Sequence, residues 1–147
     1  MARIVLTNVQ VVVGGVDLSN HVASVTLSST YDVLETTAFA GGNVPDAAKT
    51  RIAGLADNSV TLEFHQDFAS AGAGNTPVEQ TIYPLLGELT TIEVQPETSA
   101  TQGPTNPSYT FEALVSEWTP LNGAVGELAT ASVTWPISGQ ITKDTTP

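Results

Sequence analysis

The chain has 147 residues, fifteen acidic against four basic side chains, a net charge of −11 and no cysteine. Such a charge disfavours attraction to nucleic-acid phosphates or anionic membrane surfaces, though not the passage of DNA without adhesion, and the lack of thiols excludes disulfides, a cysteine nucleophile and thiolate metal sites. The length suits a single domain over residues 1–147, no apolar run approaches the roughly 20 residues of a membrane helix, and the N-terminal segment lacks a signal-peptide cleavage pattern, so a soluble protein is expected.

In chain order, Ile4 to Val13 is rich in β-branched residues and ends at Gly14-Gly15, which predicts a strand and a turn, with Val16-Asp17-Leu18 as a short continuation. Val22 to Tyr31 alternates, placing Val25, Leu27 and Tyr31 on a packed face and Ser24, Thr26, Ser28 and Thr30 on a wet one. Asp32 to Thr37 extends this strand into an arm over Thr37 to Arg51. The arm's turn dipeptides Gly41-Gly42 and Pro45-Asp46 interrupt any ladder. It carries Phe39, Val44, Lys49 and Arg51, and a long connection with an aromatic and two of the chain's four cations is expected to project and to make contacts. Thr50 to Leu55 returns from the arm, and Asp57-Asn58 reads as a turn before Ser59 to Phe68, where Val60, Leu62 and Phe64 form an apolar face opposite Thr61, Glu63 and His65.

One segment predicts a helix. Thr76-Pro77-Val78-Glu79 combines a cap, a first-turn proline and the glutamate of a capping box. Ile82, Leu85, Leu86 and Leu89 then form an apolar stripe, Gly87 offers a stop, and Pro84 limits the helix to two or three turns. Leu89 to Val94 is a further strand, followed by a polar loop from Pro96 to Pro107 with nothing to bury. Ser108 to Thr119 alternates with Tyr109, Phe111, Ala113 and Val115 on one side; Pro120 to Gly123 turns the chain; Glu127 to Ile137 carries Ala129, Ala131, Val133 and Trp135 on one face. The last residues, about 143–147, are expected to fray. The sum is mainly β: a two-layer sandwich or half-barrel with one short flanking helix and a long hairpin arm.

Catalytic signals are weak. His21 and His65 stand in separate segments without a second ligand at metal-binding spacing, and Gly72-Ala73-Gly74 lacks the lysine and the strand–helix context of a phosphate loop. No Gly-x-Ser-x-Gly elbow occurs, and paired carboxylates for a hydrolase cannot be identified from strand spacing. Neither an enzyme, a cofactor nor a metal is expected.

The ordered segments Val16 to Val22, Glu35 to Phe39, Ala48 to Leu55, Tyr83 to Gly87 and Thr134 to Gly139 resemble the major tail, or tail tube, proteins of long-tailed, siphovirus-type phages infecting actinobacteria. The resemblance covers nearly the whole chain. It implies a structural virion protein made in the host bacterial cytoplasm and assembled in the virion tail as hexameric rings stacked into a tube for genome ejection. Its partners would be copies of itself and other tail proteins such as tape measure, terminator and tip proteins, with DNA passing through unbound and no membrane insertion. The arm residues Phe39, Val44, Lys49 and Arg51 would lie between rings. Ser24, Thr26, Glu63 and Glu112, on polar strand faces, are candidates for the lumen, where carboxylates and hydroxyls give DNA no counterion-releasing grip. The rival reading is a β-sandwich binding module for a receptor or carbohydrate, as on a phage tail tip or adhesin. Such modules display aromatic residues in loops, whereas Trp118 and Trp135 sit in strand-like runs.

Overall fold

Strands with one apolar face must bury it against another element, and in this chain one curled sheet does so against itself and a short helix. The computed structural model describes residues 3–38, 48–69 and 77–147. Its strands are β1 (Gln10–Val13), β2 (Val16–Asp17), β3 (Val22–Glu35), β4 (Arg51–His65), β5 (Leu89–Gln95), β6 (Ser108–Leu114) and β7 (Thr130–Asp144). The helix α1 (Val78–Ile82) continues into a 3-10 turn at Tyr83–Leu85. All seven strands form one sheet in the order β2-β1-β5-β6-β7-β4-β3, with every pair antiparallel. This is the mainly β fold with one short helix that the alternation predicts.

The buried cluster draws Val11 and Val13 from β1, Val60, Leu62 and Phe64 from β4, Ile92 from β5, Phe111 and Ala113 from β6, and Val133 and Trp135 from β7, with Val78 and Ile82 of α1 packed among them. The sheet curls enough that Val25 and Leu27 of β3 face Val94, Tyr109 and Ile141 across an apolar cleft of about 410 Å³. Its two margins also approach each other, since Val9 and Val11 share a second hollow with Val22 and Val25. The pairings define two ends. At the lower end β4 finishes, β7 begins and His65 stands opposite Thr130; at the upper end β6 begins, β7 finishes and Ser108 stands opposite Asp144.

Several expectations are corrected. The first strand is only Gln10–Val13, because Ile4 to Leu6 find no neighbouring strand and stay exposed. Asp57-Asn58 is no turn: β4 runs straight through it, and Asn58 is 2 % exposed with its side chain satisfied on both sides. Tyr31 is exposed rather than packed, since β4 pairs with β7 only as far as Asn58 and no described residue lies beyond to cover it. The helix keeps just Val78 and Ile82 buried; Leu86 and Leu89 point to solvent. The described helix starts after Pro77, which stands at its N-cap. One carboxylate oxygen of Glu79 accepts from the Trp118 indole at 2.8 Å and the Gln66 amide at 2.9 Å, while Thr76 lies outside the described residues.

The Pro96 to Pro107 loop does bury something. The Asn106 side chain is a hub that accepts from the Glu97 amide and donates to the carbonyls of Glu97 and Ala100, holding the loop without secondary structure. The C-terminal tail is shorter than expected, because β7 continues to Asp144 and Thr146 folds back onto the Asp144 carboxylate.

Candidate assembly surface

Three exposed regions stand out: the outer face of the central strands, the β3–β4 hairpin, and the lower end.

The outer face follows from the same alternation that buries the core. Opposite residues on neighbouring strands share a face, so Ser24 stands beside Glu63, and Glu63 beside Ser132; Thr26 stands beside Thr61, and Thr61 beside Thr134. The Thr61 and Thr134 hydroxyls are 3.1 Å apart. Further along β7, Ser138 stands beside Glu112. Ser24, Thr26, Glu63 and Glu112 thus lie on one exposed surface, rich in hydroxyls and bearing carboxylates.

The hairpin is longer than the sequence suggests. Ser29 to Glu35 and Arg51 to Asn58 pair with each other, but beyond Asn58 β4 has no second neighbour, so a two-stranded ladder extends past the body of the sheet. Its root is fastened by Asn58, whose side-chain carbonyl accepts from the Ser29 hydroxyl at 2.6 Å and whose amide donates to the Gly139 carbonyl at 3.0 Å. β7 turns away there, with Gly139 at φ 90°. Midway along the ladder a bulge adds a residue to β4 opposite Asp32, between the Tyr31–Ala56 and Val33–Ala53 pairs. Beyond it Val33 stands opposite Ala53 and Leu34 opposite Ile52, and because successive residues face opposite ways, both faces of the ladder are apolar. Leu55 is 80 % exposed, and Tyr31, Val33, Leu34 and Ile52 are all more than half exposed. A free two-stranded ribbon is marginally stable in water, and large apolar side chains on both of its faces mark a surface that a partner covers.

Of the expected arm contacts, Lys49 and Arg51 are exposed near the described limit of this ladder, Arg51 opposite Glu35. Phe39 and Val44 lie outside the described residues. The sequence reading missed Tyr31, Val33, Leu34, Ile52 and Leu55. The available signal was the consecutive apolar pair Val33-Leu34, which breaks the alternation of a strand with one wet face.

The lower end carries Leu121, Val125 and Leu128 on the loop before β7, with Phe68, Tyr83, Leu86 and Leu89 also exposed. The loop is ordered: the Glu127 amide donates to the Ala124 carbonyl at 3.0 Å, the Thr130 amide to the Asn122 carbonyl at 3.2 Å. Close by, His21 and Asp67 are 3.4 Å apart and join the start of β3 to the chain leaving β4.

Two carboxylates are acidified by hydrogen bonds. Glu97 is lowered first by the Ser99 hydroxyl, then by the Ser99 amide and the Asn8 side chain; Asp144 is lowered first by the Thr146 hydroxyl, then by the Thr146 amide. Both fasten loops. Among the described residues no group of three or more His, Cys, Asp or Glu side chains is arranged to hold a metal, and no helix is long and apolar enough to cross a membrane. Trp135 is fully buried, and the half-buried Trp118 packs edge-on against Phe64 at 5.7 Å, so neither offers an exposed platform to a sugar ring.

No protein-family model matches the chain, and comparison with curated proteins finds no significant sequence match. Solved structures do share the fold. A chain from the extended-state sheath/tube terminator of the extracellular contractile injection system PVC is 16 % identical, with a TM-score of 0.66 over 97 % of this chain and 96 % of that one. A chain of the PVC sheath-tube complex is likewise 16 % identical, with a TM-score of 0.66 over 98 % and 93 %. A chain from the virion of a native gene transfer agent particle is 10 % identical, with a TM-score of 0.62 over 84 % of each. The fold of this chain is therefore one found in tail-like and injection-type assemblies.

Proposed function

We propose that the chain is the subunit of a tail tube: one tail-tube-like domain that forms homohexameric rings, stacked into the conduit through which a long-tailed phage ejects its genome. The observation that carries this reading is the β3–β4 ladder, which extends beyond its own sheet with apolar residues on both faces. A monomer gains nothing from such a ribbon. A polymer does, because burying a half-exposed Val, Leu or Ile contributes about 1 kcal/mol each at every repeat of the contact. The free edge of the fourteen-residue β3 offers a second contact, since a ring that pairs edges removes the liability of an unpaired strand. The fold it shares with chains of sheath-tube and virion assemblies supports the same reading.

In the tube, the hydroxyl- and carboxylate-bearing face with Ser24, Thr26, Glu63 and Glu112 lines the lumen, where its carboxylates repel phosphate and let the duplex slide. The arm from Thr37 to Arg51, with Phe39, Val44, Lys49 and Arg51, makes the contact between rings. Virion location, tape measure, terminator and tip partners, and an actinobacterial host belong to this proposal. A binding module is the weaker reading, because both tryptophans are engaged inside the fold.

Negative-stain microscopy of the purified protein tests it: wild-type chains form tubes, while Phe39→Ser with Arg51→Glu, or Leu34→Ser with Ile52→Ser, gives folded protein that stops at single rings or monomers. Tubes of normal length from both double variants would remove the arm and its ladder from the assembly.

A further inference from the structure

The two ends of the molecule differ in charge as well as in shape. Lys49, Arg51 and Lys143 all lie toward the upper end, on the hairpin or late in β7, together with Asp32, Glu35, Asp57 and Asp144. The described lower-end segments 14–21, 66–69, 77–89 and 115–129 contain Asp17, Asp67, Glu79, Glu88, Glu117 and Glu127 but no Lys or Arg. Apart from the N-terminal Ile4 to Leu6, the large exposed apolar residues divide in the same way, between the hairpin above and the lower end below. The middle of the sheet carries none of them.

We infer that the loop bearing Leu121, Val125, Glu127 and Leu128 is the receptor for the β3–β4 hairpin of a second copy of this chain, docked head to tail along the strand direction. This rests on the stacking reading and names the surface that completes it. The loop presents its apolar side chains outward on a fixed turn, with Val125 fully exposed at 105 %. Glu127 is exposed between them, and its carboxylate makes one long contact, 3.3 Å from the Ala124 amide, which leaves it able to meet Arg51 of the incoming hairpin. Of the other lower-end acids, Asp17 accepts from Ser19, Asp67 faces His21, Glu79 holds Trp118 and Gln66, and Glu117 accepts from the Thr134 amide, while Glu88 is exposed beside Leu86 and Leu89. Apolar surface thus meets apolar surface, and the two cations of the hairpin, Lys49 and Arg51, meet an end with carboxylates and no Lys or Arg among its described residues. Because the two patches lie on opposite ends of one chain, the contact is heterologous and its repetition gives an open polymer instead of a closed dimer.

Complementation between end-blocked chains tests this. A loop variant, Val125→Asp with Leu128→Asp, keeps its hairpin; a hairpin variant, Leu34→Asp with Ile52→Asp, keeps its loop. All four positions are exposed, and circular dichroism checks that both proteins retain the fold. Each variant alone is expected to lose tubes, with mean polymer length falling at least tenfold. Mixed one to one, they are expected to join through the single intact hairpin–loop pair and stop, doubling the mass seen by light scattering. Tubes of wild-type length from the loop variant, or a mixture that shows no doubling, overturn the assignment of the receptor. A wild-type chain that forms no tubes overturns the stacking reading itself and this inference with it.

Discussion

Asn58 is the residue on which the hairpin turns from a flap into a lever. It sits where β4 parts from β7, is 2 % exposed, and its amide spans from the Ser29 hydroxyl at 2.6 Å to the Gly139 carbonyl at 3.0 Å. Asn58→Ala removes both bonds at once. At about 0.5–1.5 kcal/mol net per hydrogen bond the loss comes to roughly 1–3 kcal/mol, near the low end if water reaches the two abandoned groups, which belong to exposed residues. For a chain of this size that lowers the melting temperature by about 2–12 °C. Ser29→Ala deletes only the first bond and should cost about half as much, and the double variant should cost scarcely more than Asn58→Ala, since the two residues share that bond. Thermal unfolding followed by circular dichroism measures the stability, and microscopy well below the melting temperature measures assembly. Tubes should become rarer while the sheet stays intact, because a loosened root lets the ladder swing away from its docking direction. An Asn58→Ala protein melting within about 1 °C of wild type would refute the claim that this side chain fixes the fork, and a normal melting loss with unchanged assembly would show that the fork does not aim the hairpin.

Other outcomes follow from the same structure. Changing Glu63 and Glu112 to Lys should leave the fold and tubes intact but slow DNA ejection, with the defect relieved by salt because the new phosphate contacts are screened; ejection at the normal rate would take these residues out of the lumen. Gly54→Val should distort the ladder, since a Cβ there would stand 3.1 Å from the Asp32 Cβ and 3.2 Å from the Leu34 Cγ, and hydrogen exchange should quicken between Val33 and Ala53 while the β4–β7 pairing stays protected. The Asp144 carboxyl is held below its ordinary value of 3.8 first by the Thr146 hydroxyl and then by the Thr146 amide. Lowered in the folded state, it contributes stability that is complete above 3.8 and is lost as the pH falls through the lower folded value. The amide resonance of Thr146 should therefore hold its position at pH 5 and move toward that of a free chain in stronger acid; in Asp144→Ala it should be free at every pH.

Period-2 alternation was enough to assign the inward residues of β4, β6 and β7, namely Val60, Leu62 and Phe64, Phe111 and Ala113, and Ala131, Val133 and Trp135, because the direction of a side chain along a strand is a local property. Pro84 likewise kept the helix short, for a residue without an N–H cannot donate the next bond of the α-helical ladder, and here the chain passes into a 3-10 turn. What lies beside each strand is not local. Ile4 to Leu6 read as strand but have no neighbouring strand to pair with, and Asp57-Asn58 read as a turn but are carried straight through by Ser29 and Gly139, residues distant in sequence that satisfy the buried amide. The candidate surface divides along the same line. The polar face with Ser24, Thr26, Glu63 and Glu112 was visible as alternation, whereas for the apolar ladder of Val33, Leu34, Ile52 and Leu55 the sequence offers only the pair Val33-Leu34, and its exposure is decided by where the pairing of β4 with β7 stops, at Asn58. Sequence decides which way a strand's side chains point; only the tertiary structure decides how far its neighbours extend, and so which of those side chains are left for a partner to cover.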